Sequence, residues 1–467
     1  MRASDASLRR PTSVPTTIFF TLCLKYFRNG ETLAGRAFHI YTILKFNWGL
    51  TPSDPEQRPV LFVGQAKHLQ GLAWDDVKCK LQPKVTEEVI KKLSFRTIFK
   101  FLRSICASLS SLPARCSRHA APARTVALAK IVRTQQRATD EHIVVRLSKT
   151  FGYIVLDIVA KELNIPEPTI IRGEELRERG LGGIYGVGKA AVIPPALVVL
   201  SYKQPGTQTV AWVGKGIVYD TGGLSIKSRA SMVGMKGDCG GAAAVLGAFA
   251  AAVRARPQVT LHAVLCLAEN AVGPLATRPD DIHTLYSGHT VEINNTDAEG
   301  RLVLSDGVTY ARNDLKADVI VDVATLTGAQ GIATGKYHAA IVSNCAVLEQ
   351  HAVQAGLHSA DLTHPLPFAP ELHFSEFSST VADMKNSVAD RNNAQSSCAG
   401  LFILSHLGFD FPGKWLHVDM AAPAHCGERA TGYGVALLCV LFGNQTGSPL
   451  LKLTILVLLE SKHWHLT

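Results

Sequence analysis

The sequence predicts an α/β protein, with a C-terminal catalytic domain on a mostly parallel sheet sandwiched by helices and a smaller, reduced N-terminal α/β region ahead of it. Two observations carry this. From about residue 150 onward, strand-like and helix-like stretches alternate, the signature of a parallel sheet covered on both faces. The composition is that of a packed globular protein, 47% hydrophobic and 18% charged over 467 residues, a length that accommodates two or more domains.

Residues 1–58 are irregular and rich in Ser, Thr, Pro and Arg, and form an N-terminal extension. Within 59–150, the reduced N-terminal domain, Pro59–Gly64 reads as a buried strand and Val85–Leu93 as a helix. The Ser-, Ala- and Arg-rich stretch 104–124 reads as a linker or loop. The main domain spans 151–445, and 446–467 form a tail. In the main domain a helix is expected over 152–163 and a short strand over 168–172. Strands are expected at 208–213, 259–267, 290–296, 318–324, 338–343 and 415–419. Helices are expected at 240–254, 299–312, 346–356, 398–407 and 434–442. The helix at 240–254 opens with Gly240-Gly241 and continues on Ala, Val and Leu, so it can lie close against the sheet.

The net charge of +10 is unevenly placed. Residues 1–150 hold 25 Lys and Arg against 10 Asp and Glu, whereas the rest holds 23 against 28. The basic character therefore belongs to the front of the chain, and the mildly acidic remainder suits a metal site better than a nucleic-acid groove. The 10 cysteines are scattered without a Cys-x-x-Cys pair, which points to reduced thiols in a cytoplasmic protein. Arginines followed by Ile18–Leu24 make a signal peptide conceivable, but the apolar run is minimal and Lys25 and Arg28 follow it with no clear small-residue cleavage site. The apolar run Leu450–Leu459 is too short to span a bilayer, which takes roughly 20 residues.

Chemistry concentrates in Asn294-Asn295-Thr296-Asp297-Ala298-Glu299-Gly300-Arg301-Leu302. Asp297, Glu299 and Arg301 stand at i, i+2 and i+4, so an extended segment would point all three to one side. They follow the strand-like Thr290–Ile293 and precede a helix, which places them at the carboxyl end of a strand, where open α/β sheets bind ligands. Upstream, Lys215, Asp220, Lys227 and Asp238 sit among glycines. Taken singly, each has an ordinary reading: a solvated lysine, a turn cap at Asp220, a helix N-cap at Asp238. Taken together in one apolar, glycine-rich half, Asp220, Asp238, Asp297 and Glu299 would repel each other unless cations lay between them.

The joint pattern resembles the leucyl aminopeptidase family of cytosolic metallopeptidases over roughly residues 160–445. It comprises Val213-Gly214-Lys215-Gly216, Asp220, Lys227, Asp238-Cys239-Gly240-Gly241, Asn295 through Leu302, and Ala324-Thr325-Leu326-Thr327-Gly328-Ala329. The Ala382–Asn386 and His417-Val418-Asp419 neighbourhoods resemble its aminopeptidase-like branch. The resemblance implies a two-metal site for Zn²⁺ or Mn²⁺. Asp220 and Glu299 would be shared, Lys215 and Asp238 would complete one ion, and Asp297 the other. It further implies Lys227 as oxyanion stabiliser, Arg301 as holder of a bicarbonate, and Met235, Asn295, Thr325 and Gly328 as substrate-binding residues. A peptide substrate and a homohexamer also follow from it, while the short apolar runs give the expectation of no membrane partner. Residues 1–150 match the family's N-terminal domain poorly on this reading, and the first 58 residues and the tail after Gln445 look foreign to it.

Other chemistries find less support. Gly183–Ala190 nearly fits a phosphate-binding loop but carries Ala190 where a hydroxyl would hold Mg²⁺. The basic front part could bind nucleic acid, making a catalytically impaired relative that acts as a scaffold the alternative, yet its lysines and arginines read equally as ordinary surface charge. No Gly-x-Ser-x-Gly elbow and no His-Glu-x-x-His helix occurs.

Overall fold

The computed structural model describes residues 159–448, together with His119 and the strands Val60–Gln65 (β1) and Ala107–Leu112 (β2). The chain divides into two compact units, 1–116 with 130–145, and 117–129 with 146–467. In the first, β1 and β2 pair in parallel. The strand expected at 59–64 is present, while the helix expected at 85–93 lies outside the described residues. The stretch 104–124, read as linker or loop, contains β2. Its serines conceal a strand from composition, but they supply the same backbone donors and acceptors to a ladder as any other residue, and pairing overrides propensity.

The second unit is built on eight strands: Thr169–Arg172 (β3), Ala196–Tyr202 (β4), Thr209–Asp220 (β5), Thr260–Asn270 (β6), Val319–Ala324 (β9), Ala339–Ser343 (β10), Thr363–Pro365 (β11) and Lys414–Asp419 (β13). Their order is β11-β10-β13-β9-β5-β6-β4-β3. The central run β13-β9-β5-β6 is parallel throughout, and β11 is parallel to β10. The β10–β13, β6–β4 and β4–β3 pairs are antiparallel, so the sheet is mixed around a parallel centre. A small second sheet pairs Ile282–Thr284 (β7), Thr290–Glu292 (β8) and Met384–Lys385 (β12).

Helices cover both faces. Residues of Glu174–Glu178 (α1), Gly182–Gly188 (α2), Gly300–Asn313 (α4) and Gln395–Ser405 (α7) share one apolar core with Ala211, Val213, Val264 and Cys266. Residues of Gly240–Arg254 (α3), Ala346–Ser359 (α6) and Val435–Leu441 (α8) share the other with Val210, Trp212, Ala263 and Leu265. Neighbouring residues of β5 and β6 thus serve opposite cores, the two-residue period of a strand buried on both sides. Close packing of α3 depends on glycine. A Cβ on Gly214 would lie 2.6 Å from Ala242 Cα, and one on Gly241 would lie 2.0 Å from Val323 O.

Most expected elements occur within a few residues of their place, and the helix expected at 152–163 is seen over its described part, 159–163. The expected strand 290–296 is shorter: β8 stops at Glu292, and the chain then turns. The phosphate-loop motif is the helix α2, preceded by another helix rather than a strand. Its first turn is already occupied, because the buried Asp306 of α4 accepts the Ile184 N–H at 2.8 Å and the Tyr286 N–H at 2.8 Å. Burial pushes the Asp306 carboxyl up to about 7, against the lowering effect of these N–H donors. Asp306→Asn turns an amide NH₂ toward one of the two N–H groups, so urea unfolding should show a loss of about 1–3 kcal/mol. An unchanged midpoint would rule out Asp306 as the tie between α2 and α4.

Candidate metal centre

The long strand β5 delivers two of the site residues from one piece of backbone. Lys215 and Asp220 are both 2% exposed. After Asp220 the chain reverses through Gly222, whose φ of +83° suits glycine, and an added Cβ there would lie 2.9 Å from Asp297 Oδ1. The reversal returns Lys227, whose N–H donates to Thr221 O at 2.9 Å, to the cluster.

The turn after β8 supplies Asp297 and Glu299. The extended arrangement expected for Asp297, Glu299 and Arg301 does not occur. Glu299 has helical dihedrals (φ −77°, ψ −34°) at the entrance to α4, and Arg301 lies inside that helix. The cause is the early end of β8, after which a turn rather than pleat alternation aims the side chains. Asp297 and Glu299 still converge: with Asp220 they offer carboxylate oxygens all within 4.8 Å of one another. Arg301 takes another direction, its guanidinium 5.8 Å from the Phe377 ring centroid and 6.0 Å from that of Phe402.

Lysines interleave the acids. Lys215 Nζ lies 2.8 Å from Asp238 Oδ2, 2.9 Å from Glu299 Oε1 and 3.1 Å from Thr325 O. Lys227 Nζ bridges Asp220 Oδ2, at 2.8 Å, and Asp297 Oδ1. Asp238 therefore faces the cluster across Lys215 instead of joining the three-carboxylate group. It makes no cap for α3, which starts after Cys239 without a side-chain cap. A Cβ on Gly300 would lie 2.6 Å from Lys215 Cε, so a larger residue there would displace the lysine from its two carboxylates.

Two like charges at such a separation repel by on the order of 3 kcal/mol at an effective dielectric constant of about 20. The protonation behaviour follows. Burial, opposed by Lys215 and reinforced by Asp220 and Asp238, pushes Glu299 up to about 8. Burial likewise pushes Asp238 up to about 6, against Lys215, and raises Asp297 against Lys227. Burial lowers both lysines, but their carboxylate neighbours outweigh it and hold them above the ordinary lysine range. Glu299 Oε2 is buried and has no hydrogen-bond partner. A set of hard oxygens with one amine, one oxygen of it free, fits divalent cations such as Zn²⁺ or Mn²⁺ without histidine. Metal coordination would require Lys215 to lose its proton, which an adjacent dication favours.

The remaining expected residues are placed as follows. Thr325, just after β9, donates to Asp238 Oδ1 at 2.8 Å. Met235 is half-buried on the single turn Met235–Gly237, three residues before Asp238. Gly328 is exposed at the start of Gly328–Ala333 (α5), with nothing within 4 Å of an added Cβ. The Asn295 side chain accepts the Asp297 N–H at 3.0 Å, so it holds the turn from within. Arg301 is buried, its Nε and one terminal nitrogen lack partners, and burial pulls its pKa down to about 10.

Sequence reading gave no site role to Asn270, Asn386 and Asp419, the last two entering only within segments that resemble the aminopeptidase-like branch. Asn270, at the end of β6, donates to Asp220 Oδ1 at 2.9 Å and to Thr296 O at 3.1 Å, tying the two halves of the cluster together. Asp419 accepts from Leu326 N, Thr327 Oγ1 and Ser396 Oγ, fixing the loop after β9. The signal available for both was position: each closes a strand of the central parallel run, next to a strand that carries site residues.

Comparison with known proteins adds to this geometry. The catalytic-domain model of the cytosol aminopeptidase family matches residues 146–439, and the model of an M17 aminopeptidase N-terminal domain matches 58–155. The front part thus carries more family likeness than its weak patterning suggested. The chain is 51% identical to the probable aminopeptidase NPEPL1 of Mus musculus over 88% of this chain and 94% of that one. The structure of Caenorhabditis elegans leucine aminopeptidase superposes with a TM-score of 0.75 at 35% identity, covering 88% of this chain and 98% of that one. The leucyl aminopeptidase of Trypanosoma brucei in complex with actinonin gives 0.70 at 34% identity, covering 85% and 92%. With both domains matched, half of its residues shared with a near full-length relative, and the acid–lysine cluster in place, the chain belongs to the cytosol aminopeptidase family.

Proposed function

We propose that this protein is a metal-dependent aminopeptidase that removes N-terminal residues from peptides. The observation that carries the reading is the convergence of Asp220, Asp297 and Glu299 within 4.8 Å, beside the Lys215–Asp238 pair and Lys227, in a chain of this family. Asp220 and Glu299 would be shared by two divalent ions, Zn²⁺ or Mn²⁺, with Lys215 and Asp238 completing one and Asp297 the other. Bound there, the ions would polarise the scissile carbonyl and acidify a water enough to make it a nucleophile at neutral pH.

The chain's own residues supply orientation and charge. Lys227 stays protonated between Asp220 and Asp297, and its ammonium is available to the oxygen that gains negative charge as the carbonyl becomes tetrahedral. Arg301, with unpaired buried N–H groups, would hold a bicarbonate able to accept and return a proton. Asn270 holds the Asp220 carboxylate, and Asn295 holds the backbone N–H of Asp297. Met235, Thr325 and Gly328 would border the pocket for the first side chain. A homohexamer and a cytoplasmic location complete the reading, supported by family membership; mass photometry of the purified protein tests the hexamer. No helix among the described residues is long and apolar enough to cross a membrane. The impaired-scaffold alternative has no support from the site, where every residue of the pattern is present.

The deciding experiment strips the protein with a chelator, restores Mn²⁺ or Zn²⁺, and follows release of Leu, Met, Ala and Arg from their amides. Activity that is indifferent to chelation and restoration would refute the reading. Lys227→Ala should lower kcat about 10²–10³-fold in the metal-loaded protein, and full turnover in that variant would remove the assigned role.

A pH dependence follows from the raised carboxyls. Glu299 titrates from 4.5 when unfolded to about 8 when folded, so its protonated form stabilises the metal-free fold, and this contribution is lost as pH rises through about 8. Metal binding needs the ionised form. The increase in Tm on adding Mn²⁺ should therefore grow from pH 6 to pH 8, and a shift independent of pH would contradict it.

A further inference from the structure

We infer that Asn386 is a positioning residue of the metal centre, the buried amide that holds the turn carrying Asp297 and Glu299 in its chelating shape. The inference rests on the metal-centre reading above and adds to it a residue from a distant part of the chain.

After β8 ends at Glu292, the backbone leaves its ladder, and its polar groups need new partners. Asn386, wholly buried, meets four of them. Its Oδ1 accepts the N–H groups of Asn294 at 3.0 Å and Asn295 at 3.2 Å. Its Nδ2 donates to Asn295 O at 2.7 Å and Ala298 O at 3.3 Å. Both lone pairs and both protons of the amide are thereby used. The donated bonds bracket Asp297 and end on the residue just before Glu299. They constrain the backbone from which both carboxylates project.

The clamp is itself held in register. β12 pairs in parallel with β8, and Asn386 N donates to Glu292 O at 3.0 Å. On one side, Asp383 Oδ2 accepts from Thr290 N and Thr290 Oγ1. On the other, Asn294 and Ser387 exchange bonds of 3.2 and 2.9 Å. Segment 383–387 thus follows the chain from Thr290 to Asn294 residue by residue, with Asn386 at the point where the ladder gives way to the turn. Aspartate could accept but not donate there, and glutamine would set the amide one methylene farther out.

A filler of backbone hydrogen bonds would affect stability alone, whereas a positioning residue sets metal affinity. The test is Mn²⁺ titration of chelator-stripped full-length protein by calorimetry, alongside metal-free melting curves, for wild type, Asn386→Ala, Asn386→Gln and Gln330→Ala. Gln330 is an equally buried amide that fixes α5 through Thr334, Gly335 and His338. The expected result is Mn²⁺ binding weakened about 10–100-fold in Asn386→Ala, a smaller weakening in Asn386→Gln, and affinity kept in Gln330→Ala whatever its melting temperature. Affinity within twofold of wild type in Asn386→Ala would overturn the inference, as would equal losses in Gln330→Ala. If Asn386→Ala does not fold, Asn386→Gln decides by the same twofold criterion. Wild type that binds no Mn²⁺ would overturn the metal-centre reading and the positioning role with it. Wild-type binding with unaltered variants would overturn the positioning role alone.

Discussion

Everything around the site depends on packing several acids into a region with almost no water to screen them. Asp220, Asp238 and Glu299 are each less than a tenth exposed, and they stand against two ammonium groups that are themselves largely enclosed. Removing such charges from water carries a desolvation cost that only close, well-directed partners offset. The lysines supply that compensation in the arrangement described here, and divalent cations would replace part of it. The elevated pKa values of Glu299 and Asp238 express the same imbalance: burial and mutual repulsion exceed what the lysines return.

The fold meets this demand with rigid parts. β5 lies between β9 and β6 in the parallel centre of the sheet, paired on both sides up to Gly214 and with β6 at Lys215. Gly214, Gly241 and Gly300 let α3 and the start of α4 approach closely enough to enclose the lysine. Asn270, Asp419 and Asn386 then satisfy the loops that leave the strands, each through more than one bond. Lys215 and Asp220 stand on β5 itself; turns and loops carry Lys227, Asp238, Asp297 and Glu299, while neutral amides and one buried carboxylate outside the cluster hold those loops.

Much of this was legible in the sequence. Long, periodic segments such as 240–254 announced themselves, because an amphipathic or small-residue stripe must be buried and the period gives the element. The Lys215, Asp220, Lys227, Asp238, Asp297 and Glu299 pattern was legible for a different reason. Charged residues among glycines at strand ends are costly unless they share a task, and that makes their spacing informative. The roles of Asn386 and Asn270 were not legible. A neutral amide is common in loops, and its value here comes from partners about 90 and 50 residues away. The strand hidden in 104–124 escaped for a related reason, since a ladder is made by backbone groups that composition does not reveal.

What the sequence determined by itself was the order of the elements, the identity of the charged groups and the class of chemistry they suit, all of which follow from local period and residue type. The tertiary structure decided direction. It ended β8 early, so that Asp297 and Glu299 converge through a turn while Arg301 points at Phe377 and Phe402. It also placed Asp238 across Lys215 from the other acids and used no carboxylate to cap α3. Side-chain direction is set by backbone dihedrals and by partners brought in from distant segments, and no spacing along one chain encodes either.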